Sequence, residues 1–224
     1  MNNSGYIPQL SISKFRKMDY AAINRYHLPI ELMMENASLN LVRLIALHAT
    51  PESMILFGIG KGNNGGGGLV AARRLLGWGF KVWLNIPDEA LNPLVQTQLE
   101  RALAFGAKTA VVANPDLFVE AYLGFSQRLP LSAAYDEAVK MANELTCLKI
   151  SLDLPTGFDH SMGESIFKPD IILTLAAMKK ELLLPAVKAN IYVADLGIPS
   201  KLYREFGVDP PDGFAASGIL QYKR

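Results

Sequence analysis

Apolar residues recur at helical spacing from Ser13 to about Tyr26, and Pro29 then restarts the chain. Residues 30–48, IELMMENASLNLVRLIALH, predict a second helix with Leu32, Met33, Ala37, Leu41, Leu44 and Ile45 as its buried stripe. Beyond Pro51 the pattern changes to short β-rich runs alternating with helical segments. SMILFGI (53–59) suits a strand buried on both faces. A glycine loop follows, and then a helix from Leu69 to about Leu76. FKVWLNIP (80–87) predicts the next strand, and PLVQTQLERALAFGA (93–107) a helix stopped at Gly106. KTAVVA (108–113) and LFVEAYL (117–123) are strand candidates, and SAAYDEAVKMANEL (132–145) is a helix that Ser132 can cap. LKISLDLP (148–155), DIILTLA (170–176) and NIYVADLG (190–197) supply three more strands. The first residues predict a polar surface segment, and 201–224 one short helical turn followed by loop.

This alternation implies an α/β fold: one three-layer α/β/α Rossmann-like domain over 1–224, with a mainly parallel sheet and two N-terminal helices in front. Its core is expected over about 11–200, with 201–224 as a C-terminal tail. Half of the 224 residues are hydrophobic and 19% are charged, the balance of a globular protein with a sizeable core. The 22 basic and 21 acidic residues leave a net charge of +1, which argues against a grip on nucleic acid dominated by phosphate neutralisation. The single cysteine, Cys147, forms no internal disulfide and is expected to be a buried structural thiol. The first residues lack the apolar core of a signal peptide, and no run approaches the roughly 18 apolar residues of a membrane span. A cytoplasmic protein is the expectation.

The densest chemical signal is FGIGKGNNGGGGLVAARRL, in which Gly60, Gly62 and Gly65 satisfy G-x-G-x-x-G between a strand and a helix. Small residues there let backbone N–H groups and a helix N-terminus approach an anionic ligand. A Walker A loop is excluded, because no Lys-Ser/Thr pair follows the glycines. The acid expected after the next strand of a dinucleotide fold is only approximated by Asp88. A ligand-free strand-to-helix turn needs one or two glycines rather than six.

The segment GKGNNGGGGLVAARRL resembles the G-x-G-N-N-G-G-D-G-L-x-x-A-R-x-L motif of the YjeF N-terminal domain, the NAD(P)H-hydrate epimerase family. Further pieces are similar in order: LMMENAS to L-M-E-N-A-G, VEAYLGF to D-A-L-L/F-G-T/F, DLPTGFD to D-I-P-S-G-x-D, TLAAMKKELLLP to T-F-x-x-P-K, and VADLGIP to V-x-D-I-G-I-P. The resemblance spans roughly Ser11 to Pro199.

It implies an isomerase of metabolite repair. Hydrated NADH and NADPH carry a hydroxyl at ring C6, and the family interconverts the R and S epimers. A separate dehydratase, fused in some relatives, then restores the cofactor; no such second domain fits in this chain. Carried over by position, Asn63, Asn64, Gly65, Gly66 and Gly67 line the dinucleotide substrate, with Gly124, Phe125, Ser126, Gln127 and Arg128 as a second binding segment. Asn64, Glu120 and Thr156 fall at the ligands of a potassium ion. Asp153, at the C-terminal end of a buried strand, is the residue for chemistry, acting as an acid–base group while the C6 hydroxyl leaves and returns. Ring opening at N1–C6 is an alternative route. The chain departs from the motif at Gly67 and Glu120, where the family has aspartate, and at Ser126, where it has glycine. Lys179 matches the family lysine but follows Met178 rather than proline. A homodimer is implied as the assembly. Two rivals stand beside the epimerase: a degenerate relative kept as a nucleotide-binding or protein-interaction module, and a conventional NAD-dependent oxidoreductase.

Overall fold

The computed structural model describes residues 5–88, 90–110 and 112–223. A two-residue strand, β1 (Gln9–Leu10), leads into helices α1 (Ile12–Tyr26) and α2 (Ile30–Ile45). Strand β2 (Met54–Ile59), helix α3 (Asn63–Gly77), β3 (Lys81–Asn85), α4 (Pro93–Ala104) and β4 (Lys108–Thr109) follow. The chain then crosses to β5 (Leu117–Ala121), α5 (Ala133–Glu144), β6 (Leu148–Leu152), β7 (Ile171–Leu175) and β8 (Met178–Lys179). It ends with β9 (Asn190–Ala194), α6 (Ser200–Glu205), α7 (Phe214–Ser217) and β10 (Ile219–Tyr222). The main sheet has the order β10-β9-β7-β6-β5-β2-β3-β4, and only β10 runs antiparallel to its neighbour.

Alternation along the strands sorts the side chains into two layers. Ile55, Phe57 and Ile59 of β2, with Leu117, Val119 and Ala121 of β5, join the core beneath α2, α3 and α4. Leu56, Phe118 and Tyr122 face the other way and pack with Tyr135, Val139 and Ala142 around α5. Helix α1 is seated by Phe15, Met18 and Ala22 against Met33, Ala37, Leu196 and Leu202, beyond the C-terminal ends of the strands.

Three elements differ from the sequence reading. The glycine run is not a loop: α3 begins at Asn63, and Gly65, Gly66, Gly67 and Gly68 lie buried in its first turns. Each helical glycine costs roughly 1 kcal/mol relative to alanine, and close packing sets the requirement. A Cβ on Gly65 would stand 1.8 Å from the Gly60 carbonyl oxygen, and one on Gly68 would stand 2.6 Å from Ala121 Cβ. The tail is not loop-like either. After α6 it forms α7 and then β10, which pairs Ile219–Tyr222 with Ile191–Ala194 as an antiparallel edge. Of the strand expected over 108–113 only Lys108–Thr109 pairs, and Val111 lies outside the described residues. Ser132 occupies the N-cap position of α5 without forming a side-chain cap bond.

Candidate active site

The strand order reverses direction at β2, which lies between β3 and β5. The chain winds outward from β2 to the β4 edge and then crosses back to start β5. Loops leaving β2 and β5 therefore part at their C-terminal ends, the position at which open α/β sheets form a ligand crevice. A cavity of about 370 Å³ opens there. Asn63, Asn64 and Gly67 of α3 line it, together with Gly124, Phe125, Ser126 and Gln127 after β5 and Asp153 after β6. Gly62, the α3 N-cap, offers no side-chain hydrogen bond, so the first N–H groups of the helix are left for a ligand.

Asp153 sits in the left-handed region, with φ of +70°, a conformation that costs a non-glycine residue about 1–2 kcal/mol. Its backbone N–H donates to the Leu173 carbonyl at 2.8 Å, which ties the turn to β7. Asp153 is 1% exposed, and its two carboxyl oxygens differ. Oδ2 accepts the Phe125 N–H at 2.8 Å. Oδ1 accepts no hydrogen bond. Gly124 makes this approach possible, because a Cβ there would stand 2.9 Å from Asp153 Oδ2.

Lys179 of β8 lies 3.6 Å from Asp153 Oδ1, an ion-pair distance too long for a hydrogen bond. Its ammonium donates to the Leu175 carbonyl and stands 3.5 Å from the centroid of the Phe15 ring. The group is fully buried. Burial pushes it down to about 8, opposed first by Asp153 and then by Asp19.

Asn64 bridges two strand ends: its Nδ2 donates to Leu123 O at 3.0 Å and to Leu152 O at 3.1 Å. Glu120 and Thr156 do not reach the cavity lining. Glu120 pairs in register with Ser151 on the α5 side of the sheet, and both its oxygens are filled. Oε1 accepts Tyr122 N–H and Thr156 Oγ1–H, each at 2.8 Å. Oε2 accepts Ser151 Oγ–H at 2.7 Å and Thr156 N–H at 3.3 Å. Burial pushes this carboxyl up to about 7, against the pull of its hydrogen bonds. Such a set does not fit a resident potassium ion. Donors surround the carboxylate where a cation would bind, and the Asn64 amide presents N–H groups to the two strand-end carbonyls.

Gly65 and Gly66 lie behind the wall: a Cβ on Gly65 meets Gly60, and one on Gly66 meets Met34 and Val95. Arg128 is exposed and is not part of the lining. Gln127 acts mainly as a clamp, accepting Gly157 N–H at 2.6 Å and Phe158 N–H at 3.2 Å while donating to Pro155 O at 3.1 Å. Gly67 reaches the lining, and its carbonyl accepts Ser38 Oγ–H at 2.7 Å.

Two charged lining groups lie outside the site expected from the sequence, Asp19 of α1 and Lys61 after β2. Asp19 follows Phe15 by four residues and Met18 by one, so a charge on the buried stripe of α1 was the available signal. A larger recess of about 680 Å³ lies beside α5, lined by Leu56, Phe118, Met141 and Cys147 among others. Cys147 is half-buried, and burial pushes its thiol up, so it is a poor nucleophile.

Comparisons with known proteins agree with this fold. A family model described as the YjeF-related protein N-terminus matches residues 30–181. The chain is 32% identical over 220 residues to the NAD(P)H-hydrate epimerase of Rhodopirellula baltica, covering 90% of this chain and 89% of the relative. It is 30% identical over 214 residues to that of Dehalogenimonas lykanthroporepellens, with 90% and 87% covered. A bifunctional NAD(P)H-hydrate repair enzyme Nnr of Archaeoglobus fulgidus is 32% identical over 173 residues, which span 75% of this chain and 37% of that protein. Among solved structures, the crystal structure of yeast ynu0 has the same fold: TM-score 0.84, 20% identity, 96% of this chain and 100% of that one covered.

Proposed function

The chain belongs to the YjeF-related N-terminal family, and from that premise we propose that it is an NAD(P)H-hydrate epimerase, an isomerase that inverts C6 of the hydrated nicotinamide ring. The observation that carries this reading is the Asp153 carboxylate at the switch-point cavity, with one oxygen held by Phe125 N–H and the other without a hydrogen bond.

The cavity has room for the nicotinamide riboside half of a dinucleotide, with the adenosine half beyond its rim. The N–H groups at the start of α3 suit the diphosphate, and Lys61, ion-paired with Asp88 at 2.8 Å, lies on the same lining. Asp153 Oδ1 then faces the ring as an acid–base group, taking or giving a proton as the C6 hydroxyl departs or returns. Lys179, 3.6 Å away, holds this buried carboxyl in place. The filled Glu120 cluster supports a reaction that does not need potassium. The reading extends to a cytoplasmic homodimer whose product passes to a dehydratase. The bifunctional relatives support that last link, and among the described residues no helix is long and apolar enough to cross a membrane.

The test is direct. The purified protein is given a single NADHX epimer, and the other epimer is followed by chromatography against the spontaneous rate. Acceleration supports the assignment. Binding without acceleration favours the degenerate nucleotide-binding module suggested by Gly67 and Glu120.

A further inference from the structure

Inverting one tetrahedral carbon by loss and return of a hydroxyl requires a proton delivered on one face and removed on the other. Asp153 is fixed by Phe125 N–H and flanked by Lys179, so it serves one face. The cavity holds a second carboxyl. Asp19 of α1 lines it, and two contacts beside Asp19 fix α1 against the Asp153 side. The Lys179 ammonium stands over the Phe15 ring at 3.5 Å, and Arg16 donates to the Phe125 carbonyl at 3.0 Å. Phe15 also meets the Phe125 ring edge-on, with centroids 5.3 Å apart.

We propose that Asp19 is the second acid–base group of the epimerisation, with the nicotinamide ring lying between it and Asp153 so that one carboxyl serves each face of C6. This rests on the epimerase reading and on the role given to Asp153. In one direction, protonated Asp19 gives its proton to the C6 hydroxyl as the C6–O bond breaks. The bonding pair leaves on oxygen as water, and the N1 lone pair forms the C6=N1 iminium. A water on the other face then adds its oxygen to C6, the iminium pair returns to N1, and the surplus water proton passes to the Asp153 carboxylate. The reverse epimerisation exchanges the roles, and solvent exchange resets the pair after an uncompensated turnover.

The surroundings match a proton donor. Asp19 is pushed up to about 6, first by burial and then by the Asp153 charge, while Lys179 pulls it down. Glu181 acts in turn on Lys179, Arg16 of the same helix is turned to the Phe125 carbonyl, and Lys61 lies elsewhere on the cavity lining.

The experiment compares Asp19→Asn, Asp19→Glu and Asp153→Asn with wild type on one NADHX epimer. NADH titration and thermal unfolding accompany each assay. Asp19→Asn is expected to lower kcat by roughly 10²–10⁴-fold with KM and NADH affinity within about threefold, and Asp19→Glu to recover part of the loss. The alkaline limb of the wild-type kcat/KM profile, with its midpoint near 6, is expected to vanish in Asp19→Asn. If Asp19→Asn folds and keeps wild-type kcat and pH profile while Asp153→Asn is inactive, the role of Asp19 is overturned and the epimerase assignment stands. If Asp19→Asn does not fold, Asp19→Glu decides: kcat and an alkaline limb both unchanged from wild type overturn the role, and a shifted limb supports it. If wild type itself gives no acceleration, both readings fall.

Discussion

Lys179 Nζ stands 3.6 Å from Asp153 Oδ1, and neither side chain meets bulk solvent. Strand β8 carries the lysine, and the left-handed turn after β6 carries the aspartate. A buried pair gains little over an apolar replacement, but removing one partner leaves an uncompensated charge, at a cost of about 3–5 kcal/mol. Lys179→Met is therefore expected to lower stability by about 3 kcal/mol near neutral pH. Urea unfolding of the variant beside wild type measures the loss.

Asp19 gives stability its own pH dependence. Its folded-state carboxyl is raised from 3.8 to about 6, so its contribution is full below 3.8 and is lost as pH rises through 6. Wild type should lose about 2–3 kcal/mol from this group between those limits, and Asp19→Asn should lack that fall. Parallel denaturant melts across that window check the difference.

The glycines of α3 should respond according to what their Cβ would meet. Gly62 has open space, whereas a Cβ on Gly65 would overlap the Gly60 carbonyl. Gly62→Ala is expected to change stability by less than about 1 kcal/mol, and Gly65→Ala to cost about 3 kcal/mol or prevent folding. Thermal unfolding of the two variants makes the comparison.

That contrast marks the limit of what the sequence displays. The strands were legible because runs such as MILFGI and IILTL are apolar on both faces, and Asp153 because a motif placed it at a strand end. The glycine run reads as a loop because local propensity disfavours helix, and the approach of Gly65 to Gly60 and of Gly68 to Ala121 explains the helix. Strand β10 covers four residues and owes its form to the β9 edge. Lys179 matched a family position, but its contact with Asp153 depends on how β8 and the β6 turn meet. Asp19 lies far along the chain from Asp153 and belonged to no quoted motif.

Glu120 separates an ion site from a hydrogen-bonded cluster. Its oxygens accept from Tyr122, Thr156 and Ser151. Glu120→Gln places N–H groups against the Thr156 N–H donor, with an expected loss of about 1–3 kcal/mol. Exchange of potassium for sodium at constant ionic strength should leave the wild-type melting temperature and epimerisation rate unchanged. A potassium-specific rise in either would show that the cluster opens to hold the ion.

Proton NMR of the C6 hydrogen, recorded after adding wild-type protein or Asp153→Asn to one pure epimer of NADHX, is the most direct measurement. The predicted result is that the second epimer's signal grows well above the spontaneous rate with wild type and at the spontaneous rate with Asp153→Asn. Growth at the spontaneous rate with folded wild type, or equal acceleration by a folded Asp153→Asn, would contradict the assignment of the chemistry to this cavity.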